Sequence, residues 1–227
     1  MKNHVIIVAG GSGLRMNSDI PKQFLLLAGK PVLMHSIERF NAFDPSINII
    51  VVLPVKETAE WQSLCEKYSF AIKHMVVTGG NTRFHSVKNG LDNITEKGVV
   101  GVHDGVRPIL APDLIQRCFS EAMEKGNAVP FIPVRESIRK VDGNKNEAVK
   151  RDSFVIVQTP QCFSTDLLRK AYLTEYHNNF TDDASVVEAS GEPINLVEGD
   201  FRNIKITFPG DLLHAEMLLA AEKKKSR

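Results

Sequence analysis

Two patterns of apolar positions alternate along the chain. Short β-branched runs recur at residues 4–9, 47–53, 75–77, 99–103, 128–134, 154–157 and 204–208, and several are apolar without interruption. Uninterrupted runs of this length suit parallel strands covered on both faces. Between them the apolar positions switch to helical spacing. Residues 33–43 place Leu33, Ile37 and Phe40 on one face, and 57–68 gather Trp61, Leu64, Cys65 and Tyr68. Residues 113–125 turn Leu114, Phe119 and Met123 inward and stop at Gly126, a residue suited to ending a helix. Further helical patterns cover 167–176, 184–189 and 212–222. Strand and helix alternating through short connections predict an α/β fold with a mainly parallel sheet. No repeat and no low-complexity linker divides the sequence, so 1–227 reads as one domain.

One stretch breaks the rhythm. Residues 135–151 are polar, with short segments at 138–141 and 147–150 flanking a turn that contains Asp142-Gly143. This is a hairpin pattern rather than a crossover helix, and it is too polar for a core. Two readings stand. One is an arm, at about 134–157, that projects onto a second subunit; the other is a surface hairpin with no partner.

Composition removes several functional classes. Of 227 residues, 43% are hydrophobic and 24% charged, the balance of a folded globular chain. Lys and Arg number 28 against 27 Asp and Glu, a formal charge of +1. That argues against duplex nucleic acid as a partner. The one dense basic run, Lys223-Lys224-Lys225 with Arg227, reads as a solvated tail. No apolar stretch approaches the roughly 20 residues that span a bilayer. The run at 5–9 ends at Gly10-Gly11, too short for a signal peptide. Cys65, Cys118 and Cys162 lie far apart and match no zinc-site spacing. The expectation is a reduced, cytoplasmic protein whose partners are neither nucleic acid nor membrane.

Candidate chemistry begins where the first strand ends, at Ala9-Gly10-Gly11-Ser12-Gly13-Leu14-Arg15-Met16. A glycine-rich turn there offers bare N–H groups to phosphate; a plain tight turn would use the same glycines. A Walker A loop would need Gly-Lys-Ser/Thr where Leu14-Arg15-Met16 stands. The dinucleotide fingerprint would need Gly at Met16 and an acid in place of Pro54-Val55-Lys56. Pro21-Lys22-Gln23-Phe24 follows within a few residues. Arg15 and Lys22 thus bring two cations to one loop, an electrostatic clamp for a polyphosphate or two solvated surface cations. His103-Asp104-Gly105 ends an apolar run, and the carboxyl ends of parallel strands are where α/β sheets bind ligands. His103 itself reads as a satisfied buried histidine. Arg107-Pro108 reads as a turn or a ligand contact, and Thr181 or Asp182 as an N-cap. Period two in 204–208 puts Lys205 opposite Ile204 and Ile206.

The string AGGSGLRM…PKQF resembles the signature of the nucleotide-sugar type nucleotidyltransferases. It is most similar to the 2-C-methyl-D-erythritol 4-phosphate cytidylyltransferase family of the non-mevalonate isoprenoid pathway. Further matches run in order along the chain: Gly79-Gly80 with Arg83 and Ser86-Val87, His103 to Pro108, Thr159-Pro160-Gln161, Thr181-Asp182-Asp183-Ala184-Ser185, and Asn203-Ile204-Lys205-Ile206-Thr207.

The resemblance implies a doubly wound, Rossmann-like nucleotidyltransferase sheet with a projecting β-hairpin arm. It implies CTP as co-substrate and Mg²⁺ as cofactor. Ala9, Gly10, Gly11 and Gly13 would wrap the triphosphate, and Arg15 and Lys22 would neutralise it in the transition state. Gly80, Asn81 and Ser86 would read cytosine and ribose; Asn81 stands where relatives often carry an acid. Asp104, with Gly105, would contact the nucleotide and substrate beside the magnesium, which makes Asp104 the candidate metal ligand. Arg107 would meet the substrate, and Lys205 the substrate phosphate and the α-phosphate. The arm would interlock a homodimer and bring Ser137 and Arg151 into the partner's substrate site, Ser137 replacing a Thr. The implied reaction transfers CMP from CTP to 2-C-methyl-D-erythritol 4-phosphate. Ribitol 5-phosphate as acceptor stays open, as does a non-catalytic nucleotide-binding regulator on the same fold. Cations grouped around the α-phosphate speak against the regulator.

Overall fold

Alternation within the first strand sets the layering. In β1 (Lys2–Val8), Val5 and Ile7 face one side of the sheet and Ile6 the other, and all three are fully buried. The computed structural model describes residues 1–11, 16 and 20–225. Two-residue strands β2 (Leu26–Leu27) and β3 (Lys30–Pro31) precede α1 (Val32–Phe43). The chain then runs through β4 (Asn48–Leu53), α2 (Val55–Lys67), β5 (Met75–Thr78), α3 (Arg83–Leu91), β6 (Gly98–Asp104), α4 (Pro112–Lys125) and β7 (Asn127–Pro133). The arm is β8 (Arg139–Asp142) and β9 (Lys145–Ala148). After it come β10 (Val155–Val157), β11 (Gln161–Ser164), α5 (Thr165–Ala171), α6 (Asp183–Ala189), β12 (Leu196–Glu198) and α7 (Pro209–Lys225).

The main sheet has the order β10-β7-β11-β6-β1-β4-β5, with β12 beside β7. β1 pairs in parallel with β4 and β6, and β4 with β5. β11 is antiparallel to β6 and to β7. On one face, Leu33, Ile37 and Phe40 of α1, Trp61 of α2 and Leu114 of α4 cover Val5, Ile7 and Val51. On the other, Phe84 of α3, Leu168 of α5 and Val187 of α6 cover Ile6, Ile50 and Val100. Ala215 and Leu219 of α7 close a third cluster over Leu27, Val106 and Ile206. The sheet is therefore doubly wound and mostly parallel, as expected. The arm forms as expected too, pairing Asp142 with Lys145 across a turn in which Gly143 has φ +55°.

Other expectations are corrected. Residues 204–208 form no strand. The Ile206 N–H reaches the Val106 carbonyl at 2.9 Å, and alternate burial survives with Ile206 inside and Lys205 outside. Met123 is 53% exposed, because the inward stripe of α4 runs through Ile115, Cys118, Phe119 and Ala122. The apolar run at 154–157 is not a doubly covered parallel strand. It supplies β10, antiparallel to β7, and its side chains are exposed. The helix expected over 167–176 ends at Ala171, with Leu173 left in solvent. Lys223 and Lys224 lie in the last turns of α7 rather than in a free tail.

Candidate active site

Because β1, β4, β5 and β6 run parallel, their carboxyl ends open on one side of the sheet. A cavity of about 280 Å³ lies there. Ala9, Gly10 and Gly11 after β1, Gly80, Asn81 and Ser86 around the start of α3, and Asp104 at the end of β6 line it. Lys22 and Lys205 complete the lining, so the structure brings together most of the residues picked from the sequence. Arg15 and Gly13 lie outside the described residues.

Gly11 and Gly80 differ in how strictly they must lack a side chain. A Cβ at Gly11 would make ordinary contact with Lys22, 3.4 Å from Cε and 3.8 Å from Nζ. A Cβ at Gly80 would fall 2.4 Å from the Cβ of His85, so no other residue fits without moving α3. The loop around Gly80 is cross-linked by its own polar groups. The Gly80 N–H donates to Ser86 Oγ at 3.1 Å, Ser86 Oγ donates to the Thr82 carbonyl, and Thr82 caps α3 by accepting from the His85 N–H.

Asp104 is the electrostatic centre. Its Oδ2 accepts from Lys205 Nζ at 3.0 Å and from Arg107 Nε at 3.2 Å. Burial alone would push its carboxyl up. Arg107, Lys205 and Arg83 outweigh that and hold it well below the usual carboxylate range. Its N–H donates to Thr159 Oγ1 at 3.1 Å. His103 behind it is fully buried, with its ring nitrogens on Thr159 Oγ1 and the Arg107 carbonyl, and burial pulls its pKa down to about 4. It is the satisfied core histidine expected.

A second cavity of about 240 Å³ adjoins the first. Arg83, Asp104 and Lys205 line both, while Arg107, Thr159, Thr181 and Asp182 belong to the second alone. Arg107 also donates to the Asn203 carbonyl at 2.8 Å. Arg83 is fixed by the neighbouring α6 on the same face of the sheet: its guanidinium donates to Asp183 Oδ2 at 2.6 Å, and the Tyr172 hydroxyl donates to Asp183 Oδ1 at 2.7 Å. The sequence reading missed this clamp and the role of Thr159. The signal was the second Asp of Thr181-Asp182-Asp183. Asp182 alone makes the N-cap, in a capping box with Ser185, which leaves a fully buried acid in need of a cation.

Three candidates are not brought to either cavity. Gly105 lies behind Asp104, its N–H donating to the Val8 carbonyl and its carbonyl accepting from Ser36 Oγ, so it serves packing. Ser137 and Arg151 sit on the arm, and Arg151 donates to the Arg135 carbonyl. Among the described residues no cluster of three or more His, Cys, Asp or Glu is placed to hold a metal. No helix among them is long and apolar enough to cross a membrane.

Fixed cations beside two adjoining cavities, at the carboxyl ends of a doubly wound sheet, define a nucleotide-handling transferase of the nucleotidyltransferase class. The profile of the 2-C-methyl-D-erythritol 4-phosphate cytidylyltransferases matches residues 3–221, and the chain belongs to that family. It is 54% identical over 219 residues to the protein of that name from Phocaeicola vulgatus, covering 96% of this chain and 100% of that one. The Bacteroides fragilis protein of the same name is 53% identical over 214 residues, covering 94% and 98%. Among solved structures, the enzyme of that name from Thermus thermophilus superposes with a TM-score of 0.78 at 32% identity, covering 96% of this chain and 98% of the other.

Proposed function

We propose that this protein transfers CMP from CTP to 2-C-methyl-D-erythritol 4-phosphate, releasing pyrophosphate, for isoprenoid precursor synthesis in the cytoplasm. The observation that carries the reading is the pair of cavities sharing Arg83, Asp104 and Lys205. CTP fits the first, with its phosphates near Lys22 and the Gly10-Gly11 backbone. The acceptor fits the second, between Arg107 and Lys205. An acceptor phosphate oxygen then attacks the α-phosphorus, a new P–O bond forms, and the bond to the β-phosphate oxygen breaks. The nucleophile is already anionic, so positioning and charge neutralisation carry the step without a strong base. Lys205 lies at the junction of the cavities, where the attacking group and the α-phosphate meet.

A magnesium ion fits this site as a phosphate-borne ion. Mg²⁺ is commonly held by one or two carboxylates with phosphates and water, and Asp104 offers one carboxylate, with Lys205 and Arg107 both on its Oδ2. When bound, the ion would add positive charge beside the phosphates.

We further propose a homodimer through the arm. Phe154 and, on β10, Val155, Ile156 and Val157 leave an apolar strip 39–48% exposed at one end of the sheet order and next to the arm. A second subunit burying that strip would receive Ser137 and Arg151 beside its acceptor cavity.

A pyrophosphate-release assay tests the activity, with four nucleoside triphosphates crossed against methylerythritol phosphate and ribitol 5-phosphate. Release with CTP and methylerythritol phosphate is expected; equal release with all four nucleotides, or none, refutes the reading. Mixing Arg151→Ala with Lys22→Ala subunits, once exchange is confirmed by mass spectrometry, should regenerate activity. A mixture no more active than its parts refutes the shared site.

A further inference from the structure

Lys22 is the first residue of a single 3₁₀ turn, Lys22–Phe24. Lys22 and Gln23 both line the first cavity. Gln23 donates from Nε2 to Glu57 Oε2 at 2.5 Å, in the first turn of α2. Phe24 stacks on Trp61, one turn further along the same helix, with ring centroids 6.0 Å apart and planes 11° from parallel. The turn is thus fastened to α2 at two points, one polar and one apolar.

The polar point is the unusual one. Packing alone would be served by an apolar residue at position 57, since Phe24 and Trp61 already join the two elements. A carboxyl group stands there instead, with the residue 5% exposed, and burial pushes its pKa up. Gln23 is fully buried, and its Oε1 has no hydrogen-bond partner among the described residues, so the Glu57 contact sets the orientation of the amide. Glu57 lines neither the first cavity nor the second, and it reaches the first through Gln23, which lines that cavity beside Lys22.

We propose that Glu57 is a positioning residue for Lys22: through Gln23 it fixes the Lys22–Phe24 turn against α2 and so sets where the Lys22 ammonium stands relative to the phosphates. The inference rests on the cytidylyltransferase reading. Misplacing a group that acts in the transition state lowers kcat with little effect on a substrate it does not touch.

The test is a mutant cycle on kcat with thermal melting alongside. Glu57→Asp withdraws the carboxyl by one methylene and keeps its charge. It is expected to lower kcat about tenfold and to leave KM for methylerythritol phosphate within about twofold. Glu57→Gln offers Gln23 an acceptor at the same reach and is expected to retain near-native kcat. In a Lys22→Ala background Glu57→Asp is expected to add no further loss, because the residue through which it acts is already gone. Equal kcat losses in both backgrounds overturn the inference, as does an unchanged kcat for Glu57→Asp in the native background. Failure of the underlying reading is distinct: the unmutated protein would then release no pyrophosphate from CTP and methylerythritol phosphate.

Discussion

Truncating Lys205 to Ala separates a catalytic cation from a structural one. Its Nζ lies 3.0 Å from Asp104 Oδ2, yet its side chain is 42% exposed. The lysine end of the pair is open to solvent, so its removal is expected to cost folding about 1 kcal/mol so long as the buried Asp104 keeps other partners. Asp104 also keeps Arg107 at 3.2 Å and its N–H bond to Thr159 when Lys205 is gone. For a chain of this size 1 kcal/mol moves the midpoint of melting by roughly 2–4 °C, so Lys205→Ala should melt within about 4 °C of the native protein. Catalysis should respond very differently. The same ammonium faces both cavities, and removing a fixed charge from a developing transition state costs about 3 kcal/mol, roughly a hundredfold or more in kcat. Steady-state pyrophosphate release and differential scanning fluorimetry on one preparation read both quantities. A kcat within about threefold of native would return Lys205 to the solvated surface cation its exposure suggests. A melting point lower by more than about 10 °C would show that it holds the fold instead.

Three further outcomes follow from the geometry. Gly80→Ala sets a methyl against the Cβ of His85 at 2.4 Å; it should destabilise by about 1–3 kcal/mol and raise KM for CTP, and an unchanged KM would detach this loop from the nucleotide. Tyr172→Phe removes one of the two described donors to the buried Asp183 carboxylate and should lower stability by about 2 kcal/mol, read by urea denaturation; a neutral result would mean that Arg83 alone suffices. His103 stays neutral in the folded protein to about pH 4, whereas an unfolded histidine takes its proton near 6.5. Unfolded chains therefore bind more protons between these values, and stability falls as pH drops through that window, by up to about 3 kcal/mol. His4 and His35 are shifted in the same direction, so the test is the difference in melting slope between native protein and His103→Gln, which should be flatter.

The sheet could be read from the sequence because β1, β4 and β6 each carry an unbroken stretch without a polar side chain, residues 5–8, 49–53 and 98–102, covered on both faces. The same rule misled at β10, where an equally apolar run lies exposed, because composition does not say what will cover it. It missed β11, whose four residues begin with a polar side chain, Gln161, that is buried by bonding Asp182 and the Ala184 N–H. Segment 204–208 reads as strand by alternation, yet it forms none, and Ile206 within it is held by one backbone bond to Val106 and by its packing. The glycines and cations that line the first cavity were legible because a glycine-rich turn after a strand, with a lysine close behind it, is a local pattern. The Arg83–Asp183 clamp was not, since its partners lie 100 residues apart and two adjacent aspartates do not by themselves say which caps α6 and which is buried.

The grip of Lys205 and Arg107 on Asp104 also decides which participant senses acidity. That carboxylate keeps one charge across the whole range of pH a living cell visits. A phosphate monoester does not, since it sheds its second proton near pH 6. The protein behind the two cavities then acts as a constant electrode, and the acceptor brings the variable charge. Turnover should climb as the acceptor becomes dianionic, and the midpoint of that climb should be a property of the acceptor. An analogue with a more acidic phosphoryl group would move it to lower pH with no change in the chain.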